Sequence, residues 1–205
     1  MAESRVTQVN PIILSICYVA RADQVADFNF PPETPFWDCT LVIQNPEDRA
    51  WQGPGLVALV ERDDIEVFEV TSLDPAVARN RALILAKGDY LVFGDTSTTF
   101  NISGLESAIE ILNANPFMDA LATTNLLDSG QTVRNYSTLA GELSEQEIED
   151  ISLSELVVRS SAARKFGAWI EQESGDKAGR NLARAIMAEG GKIGYSPLVL
   201  ATLTQ

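Results

Sequence analysis

The sequence predicts an α/β fold in which helices cover both faces of a central, mostly parallel mixed sheet. Apolar strand-like runs alternate with helix-like segments as far as Asn115, a pattern typical of parallel strands joined by right-handed crossovers. One of these helices, after Asp74, has unusually clear start and stop residues. Later strands lie close together along the chain like hairpins, which predicts that the sheet is mixed.

The first two predicted strands are continuous apolar runs, as expected where both faces of a strand are covered. They are Ile12–Val19 and Trp37–Ile43, and a short helix is expected between them at Asp23–Phe28. Residues 46–54 are polar and rich in turn formers, which predicts a loop. Ile65–Val70 alternates acidic and apolar residues, which predicts a third strand with one exposed side.

The clearest helix begins after Asp74, a natural N-cap that is followed by Pro75 at the first helical position. Lys87 and Gly88 are expected to end it, the lysine as a cation near the last carbonyls and the glycine as the C′ residue. Asp89–Asp95 is then predicted as a fourth buried strand, and this strand terminates in an acid.

The rest of the chain is expected to continue with alternating helices, strands and turns. Ser103 is a candidate cap for a helix over about 104–113. The later predicted elements are a strand at Met118–Leu126, a turn at Asp128–Gly130, a hairpin strand at Thr132–Thr138, an acidic loop or short helix at Gly141–Asp150, a strand at Leu153–Val158, helices at Ser160–Phe166 and Asp176–Glu189, and terminal strands at Lys192–Tyr195 and Leu198–Leu203.

Composition excludes several functional classes. The net charge of −14 and the pI near 4.3 produce a field that repels nucleic-acid backbones, so no nucleic-acid partner is expected. No apolar run reaches the roughly 18 residues that a membrane-spanning helix needs. The N-terminal residues are polar and lack the apolar core of a secretory leader. A cytoplasmic protein without a membrane span is therefore expected.

Cys17 and Cys39 are the two cysteines, and both fall inside apolar strand-like runs. We expect two buried thiols in a reducing compartment. A disulfide between them is the alternative if their strands are neighbours. Two cysteines without any histidine disfavour a zinc site.

One predicted helix and the strand after it carry a recognisable pattern. The helix contains Ala78-Arg79-Asn80-Arg81-Ala82, the next segment is Ala86-Lys87-Gly88-Asp89-Tyr90 with an apolar run, and Asp95 follows. This order and spacing resemble the family 2 glycosyltransferases of the GT-A fold. In that family, Ala-Arg-Asn on a helix precedes Ala-x-Gly-acid-Tyr, an apolar strand and an Asp-x-Asp motif. Weaker similarities at Arg159–Glu171 and Gly190–Pro197 extend the resemblance over most of the chain.

The resemblance implies a single GT-A-like domain over residues 1–205. A nucleotide-binding half is expected at about 10–125 and an acceptor-side half at about 126–205. The implied reaction is transfer of a sugar from a nucleotide-sugar, such as a UDP-sugar or a GDP-sugar, to an unknown acceptor. The resemblance is compatible with a monomer and with an oligomer.

The resemblance also implies where a donor would bind, at the ends of three strands and on the capped helix. The implied nucleotide-sugar-binding residues are Tyr18, Ala20, Asn45, Arg79, Asp95 and Ser97. Departure of a diphosphate needs its charge neutralised, usually by a divalent cation on carboxylates, and an arginine can add fixed positive charge. Asp95 is the expected metal ligand, for Mg²⁺ or Mn²⁺. The amide of Asn45 can hydrogen-bond the edge of a uracil ring.

The sequence departs from the family at the positions that carry the chemistry. The Asp-x-Asp motif reads Asp95-Thr96-Ser97, so a serine, a weaker cation ligand, replaces the second carboxylate. In the family, the acidic residue that acts as catalytic base should lie about eleven residues before Gly190, but no Asp or Glu stands there. Glu171 and Asp176 are the nearest candidates for this base. Two interpretations follow: a divergent glycosyltransferase, or a non-catalytic binding or structural module on the same fold.

Overall fold

The structure, a computed structural model, describes residues 12–25, 28–47, 59, 61–132, 142–166 and 177–204. The strands are β1 (Leu14–Arg21), β2 (Trp37–Gln44), β3 (Ile65–Val70), β4 (Tyr90–Gly94), β5 (Thr98–Phe100), β6 (Ala120–Leu127), β7 (Leu156–Arg159) and β8 (Ile193–Leu203). The helices are α1 (Pro75–Leu85), α2 (Ile102–Ala114), α3 (Ser160–Phe166) and α4 (Ala178–Ala188), with 3₁₀ turns at Glu147–Asp150 and Leu153–Glu155. No helix within these ranges is long and apolar enough to cross a membrane.

The described strands form one sheet in the order β3-β2-β1-β4-β7-β6-β8-β5. Strands β3, β2, β1 and β4 run parallel, and β6 is parallel to β8. Strand β7 is antiparallel to both β4 and β6, and the short β5 is antiparallel to β8. The predicted mixed, mostly parallel sheet is confirmed. Strand β6 crosses residue 125, where the two halves of the domain were expected to meet.

Helices cover both faces of the sheet, as predicted, and each face has its own apolar core. Buried alanines of α1 and α4 pack with Leu91 on one face. Leu105 and Leu112 of α2 pack with Val92 on the other face. Leu91 and Val92 are successive residues of β4, and both are completely buried. This explains the unbroken apolar sequence of the central strands, because their side chains alternate between two cores.

The cysteines lie on neighbouring strands but on opposite faces of the sheet. Cys17 of β1 belongs to the core beneath α1, whereas Cys39 of β2 belongs to the core beneath α2. Both are free thiols, so the disulfide alternative is excluded. Burial raises the pKa of both thiols, that of Cys39 to about 12, which keeps them protonated and unreactive.

Helix α1 begins as predicted but ends differently. The Asp74 side chain accepts a hydrogen bond from the Ala76 N–H at 2.9 Å, which confirms the N-cap. The expectation that Gly88 is the C′ residue is wrong: the C-cap is Ala86, and Gly88 has no positive φ. A Cβ at Gly88 would lie 2.6 Å from the backbone nitrogen of Ser15. Glycine is therefore required there by the close approach of β1.

The prediction that Ser103 is the N-cap of α2 is wrong. Asn101 is the N-cap, and its side-chain oxygen accepts hydrogen bonds from the Gly104 N–H at 3.3 Å and the Ser103 hydroxyl at 2.8 Å. Ser103 thus supports the capping group instead of being it. The three-residue strand β5, directly before Asn101, was not predicted.

Three further predictions differ from the structure at their boundaries. The strand expected from Leu153 begins at Leu156, because Leu153–Glu155 forms a 3₁₀ turn. The two terminal strands are one strand, β8, whose register against β6 shifts around Pro197, where a proline is tolerated in a ladder. At the expected helix Asp23–Phe28, the described ends lie in a turn and in irregular backbone.

Candidate functional site

A cavity of about 430 Å³ opens at the carboxyl ends of β1, β2 and β4, the edge of a parallel sheet where ligands usually bind. Its walls come from these strand ends, the first turns of α1, the turn between β4 and β5, and the 3₁₀ turn before β7. The lining residues are Val19, Ala20, Arg21, Gln24, Gln44, Pro75, Arg79, Phe93, Gly94, Asp95, Ser97, Thr98, Ser152, Leu153, Ser154 and Leu203.

Asp95 organises the turn at the end of β4. Its Oδ1 atom accepts hydrogen bonds from the Ser97 N–H at 2.9 Å, the Ser97 hydroxyl at 2.6 Å and the Thr98 hydroxyl at 2.9 Å. Such Asx-type bonding is a common way to hold a tight turn. Within the described ranges, the hydrogen bonds that the Asp95 carboxylate accepts all end on Oδ1, and Asp95 is exposed. As far as these residues show, Oδ2 is left for a ligand.

Helix α1 presents one face of its first turns to the cavity. Pro75 and Arg79 both line it, and they lie on the same face because they are four residues apart. Proline at the first helical position and the Asp74 cap fix where this helix starts, and with it the place of Arg79.

The opposite wall is the 3₁₀ turn that contains Ser152 and Ser154. The buried Glu155 carboxylate accepts the Ser152 N–H at 2.9 Å, which closes the turn on itself. The buried amide of Asn125, in β6, donates to the Ser154 hydroxyl at 2.9 Å. The two serine hydroxyls are 3.2 Å apart. This later part of the chain thus supplies neutral polar groups to the cavity.

Two of the residues that the resemblance implies do not line this cavity. Tyr18 is completely buried, and its ring packs against Phe28 and Phe30 with centroids 5.2 Å away in each case. Burial raises the pKa of the Tyr18 hydroxyl. Asn45 is also buried: its amide donates to Glu69 at 3.2 Å, so it ties β2 to β3. The neighbouring Gln44 lines the cavity.

The cavity does bring together the other implied binding residues, Ala20, Arg79, Asp95 and Ser97. Reasoning from the sequence missed Arg21, Gln24, Ser152 and Ser154 as lining residues. A capping-box pattern, Ser152-x-x-Glu155, was present in the sequence and would have located the turn that holds the two serines. The candidate bases Glu171 and Asp176 lie outside the described residues.

The donor set suits a divalent cation poorly. Hard cations take about six oxygen ligands, usually from several carboxylates. Within the described ranges, no three acidic or cysteine side chains come together as a metal centre. Asp95 is the one acid among the described lining residues, its Oδ1 is occupied, and the Ser97 hydroxyl donates to it. The expected Mg²⁺ or Mn²⁺ at Asp95 remains a prediction.

A second cavity, of about 380 Å³, lies at the amino edge of the same sheet and contains two arginines. Arg159 donates to the carbonyls of Met118 at 2.7 Å and Leu112 at 2.5 Å and to the Tyr90 hydroxyl at 3.0 Å. Arg164 donates to the carbonyl of Ala86. These guanidinium groups satisfy carbonyls at the ends of α1 and α2, so we assign them a structural role.

The fold is that of the GT-A-like glycosyltransferases. The S. aureus TarS 1-349 structure in complex with UDP-GlcNAc superposes with a TM-score of 0.71 at 16% identity, over 95% of this chain and 59% of that chain. The complex of the same protein with UDP gives a TM-score of 0.68 at 15% identity, over 95% of this chain and 61% of that chain. At these identities the likeness establishes the fold.

This chain spans about three fifths of the TarS 1-349 structures and 37% of the longer S. aureus TarS structure, which it matches with a TM-score of 0.68 at 14% identity. No protein-family model matches the sequence, and a search of curated proteins gives no sequence match.

Proposed function

We propose that this chain binds a nucleotide-sugar in the carboxyl-edge cavity and acts as a divergent glycosyltransferase. The observation that carries this proposal is the cavity itself, which gathers Ala20, Arg79, Asp95 and Ser97, four residues that the family resemblance implies. Its volume of about 430 Å³ lies in the range of small-molecule sites. A cavity at the strand ends of a doubly wound sheet is where nucleotides usually bind.

The structural neighbours support a UDP-sugar as the donor. Two of the TarS structures contain UDP-GlcNAc or UDP on a fold that this chain reproduces over 95% of its length. A GDP-sugar remains the alternative donor, since the described lining residues do not distinguish between the two nucleobases. The acceptor is proposed only as a hydroxyl-bearing molecule.

The lining residues supply most of the interactions that such a donor needs. The Arg79 guanidinium can pair with phosphate oxygens, and the Gln44 amide can hydrogen-bond a base or ribose edge. The hydroxyls of Ser152 and Ser154 are neutral groups suited to sugar hydroxyls. Transfer also needs a carboxylate that takes the proton of the acceptor hydroxyl. Glu171 and Asp176 are proposed for that role.

A non-catalytic binding module on the same fold is the second candidate. The observation that favours it is the single carboxylate, Asp95, among the described residues that line the cavity. A module of this kind would bind a nucleoside diphosphate or its sugar without turning it over.

Calorimetric titration with UDP and with GDP, each with Mn²⁺ and with EDTA, tests the binding that both candidates share. We expect one of the two nucleotides to bind with a Kd below about 1 mM, which corresponds to about −4 kcal/mol. No heat and no saturation at millimolar nucleotide under either condition would reject nucleotide-sugar binding.

Release of UDP or GDP from the corresponding nucleotide-glucose, followed by chromatography, separates the enzyme from the module. A transferase should hydrolyse the donor slowly without acceptor, whereas a module should leave it intact over days. If release occurs, Glu171→Gln and Asp176→Asn identify the base: its loss should lower kcat about 100-fold or more with a much smaller change in KM. Equal, small effects of both variants would remove these residues from the chemistry.

A further inference from the structure

The carboxyl-edge cavity has a charge opposite in sign to that of the whole chain. The protein contains 29 acidic and 15 basic residues, so acids outnumber bases about two to one. Among the described lining residues the ratio is reversed: the charged side chains are Arg21, Arg79 and Asp95. Two guanidiniums beside one carboxylate make this cavity a locally cationic place in an acidic protein, which favours an anionic ligand.

The single carboxylate is bound into its own turn. Three donors from Ser97 and Thr98 occupy Oδ1 of Asp95, and one of them is the hydroxyl of Ser97, which stands where the motif has its second acid. A cation at this place would have one carboxylate oxygen, Oδ2, as its anionic ligand from the described cavity wall. One such ligand gives weak binding of Mg²⁺ or Mn²⁺.

The two arginines enter the cavity from two different walls. Arg21 ends β1, and among the described residues it forms an ion pair with Asp23, at 3.4 Å between Nε and Oδ1. Both partners are more than half exposed, so the pair contributes little, and Arg21 can turn to a ligand at small cost. Arg79 approaches from the first turns of α1. Guanidinium groups match phosphate oxygens in a planar, two-bond geometry.

We infer that Arg21 and Arg79 neutralise the diphosphate of the bound nucleotide in place of a divalent cation, so that binding does not require a metal ion. This inference rests on the proposed nucleotide-sugar binding and specifies how the same cavity achieves it. The arginines hold fixed positive charge on either side of the diphosphate, and Asp95 keeps the β4–β5 turn in shape.

The test is titration of the whole chain with UDP, or with GDP if that nucleotide binds more tightly, in EDTA and in Mn²⁺. The Kd in EDTA should be within about threefold of the Kd in Mn²⁺. Arg21→Gln and Arg79→Gln should each weaken binding in EDTA about tenfold, the loss expected for one charge-assisted hydrogen-bonded contact. Asp95→Asn should bind a few-fold more tightly, because it removes a negative charge beside the phosphates and keeps the oxygen that accepts the turn's hydrogen bonds.

Arg81→Gln is the matched control. Arg81 lies on the same helix as Arg79, its guanidinium packs 5.7 Å from the ring centroid of Phe68, and it does not line the cavity. This variant makes the same change in net charge and should leave the Kd within about twofold. Thermal melts of all four variants show whether each one is folded.

The possible outcomes distinguish a failure of this inference from a failure of the proposed nucleotide binding. Binding that appears only with Mn²⁺, or that Asp95→Asn abolishes, overturns the inference and leaves nucleotide binding intact. Equal losses for Arg81→Gln and Arg79→Gln also overturn it, since the effect is then one of net charge. No binding under either condition rejects both the proposed function and the inference.

Discussion

The two edges of the central sheet use polar side chains in opposite ways. At the amino edge, the Ser15 hydroxyl donates to Asp38 at 2.5 Å and accepts the N–H groups of Lys87 at 3.0 Å and Gly88 at 2.8 Å. These bonds use the full hydrogen-bonding capacity of a hydroxyl, and Ser15 is completely buried. At the carboxyl edge, polar groups line an open cavity.

The difference separates residues that stabilise the protein from residues that are placed to bind. The buried Ser15 hydroxyl bonds to its neighbours where an unpaired partner is costly, and the two arginines of the amino-edge cavity are bonded to backbone carbonyls. Carboxyl-edge groups such as Asp95 hold a turn through one oxygen and also line the cavity. We therefore expect amino-edge substitutions to change the free energy of unfolding and carboxyl-edge substitutions to change ligand affinity.

Ser15→Ala should give the largest effect on stability. It leaves two backbone N–H groups without their acceptor and the buried Asp38 carboxyl without its hydroxyl donor. Urea unfolding should show a loss of about 2–4 kcal/mol, since each orphaned buried group costs about 1–3 kcal/mol. Ser97→Ala, the same exchange at the carboxyl edge, should cost less than about 1 kcal/mol because water replaces the lost bonds. Equal losses would mean that the two edges do not differ.

Gly94→Ala should be an exception to this difference between the edges. Gly94 lies at the carboxyl edge, but a side chain there would contact the apolar core. A Cβ there would lie 2.8 Å from a ring carbon of Phe100 and 2.9 Å from one of Tyr18. Moving these rings should cost about 1–3 kcal/mol of unfolding free energy, as is typical for overpacked sites. A loss below about 0.5 kcal/mol would show that the aromatic cluster gives way easily.

Asp38→Asn should change the pH dependence of stability. Burial raises the pKa of the Asp38 carboxyl, an effect that the Ser15 hydrogen bond partly opposes. The unfolded chain loses this proton near pH 4, and the folded chain loses it only at higher pH. The contribution of Asp38 to the unfolding free energy of the native protein should therefore fall as the pH rises between those two values. Asp38→Asn should lack this fall.

Urea titrations of both proteins from pH 4 to pH 8 give the difference in unfolding free energy at each pH. The difference should move in favour of the variant as the pH rises and then level off. A difference that moves the other way would mean that the folded protein holds the pKa of Asp38 below its ordinary value.

Much of the fold could be predicted because its decisive features are local. The Asp74 cap, the apolar runs of β1, β2 and β4, and the turn at Gly130 are each encoded within a few residues. Strand β5 was missed because three residues give no periodicity and its pairing with β8 is between residues about a hundred positions apart. The role of Gly88 was misjudged because the backbone of β1 that requires it is also distant in sequence.

The candidate site could be predicted on the strand side and not on the opposite wall. Arg79 and Asp95 follow from the motif and from the rule that strand ends form binding sites. Ser152 and Ser154 reach the cavity because β7 inserts antiparallel between β4 and β6, which no local pattern indicates. The burial of Tyr18 likewise depends on Phe28 and Phe30, which fold back over β1.

The most direct test of the two-edge account is an amide NMR titration of the 22.3 kDa chain with UDP and with GDP. The account predicts that at least one nucleotide shifts the resonances of Arg79, Gly94, Asp95 and Ser97 in a saturable way, while those of Ser15 and Gly88 stay in place. Saturable shifts at Gly88 and around the amino-edge cavity, with none at the carboxyl edge, would contradict it.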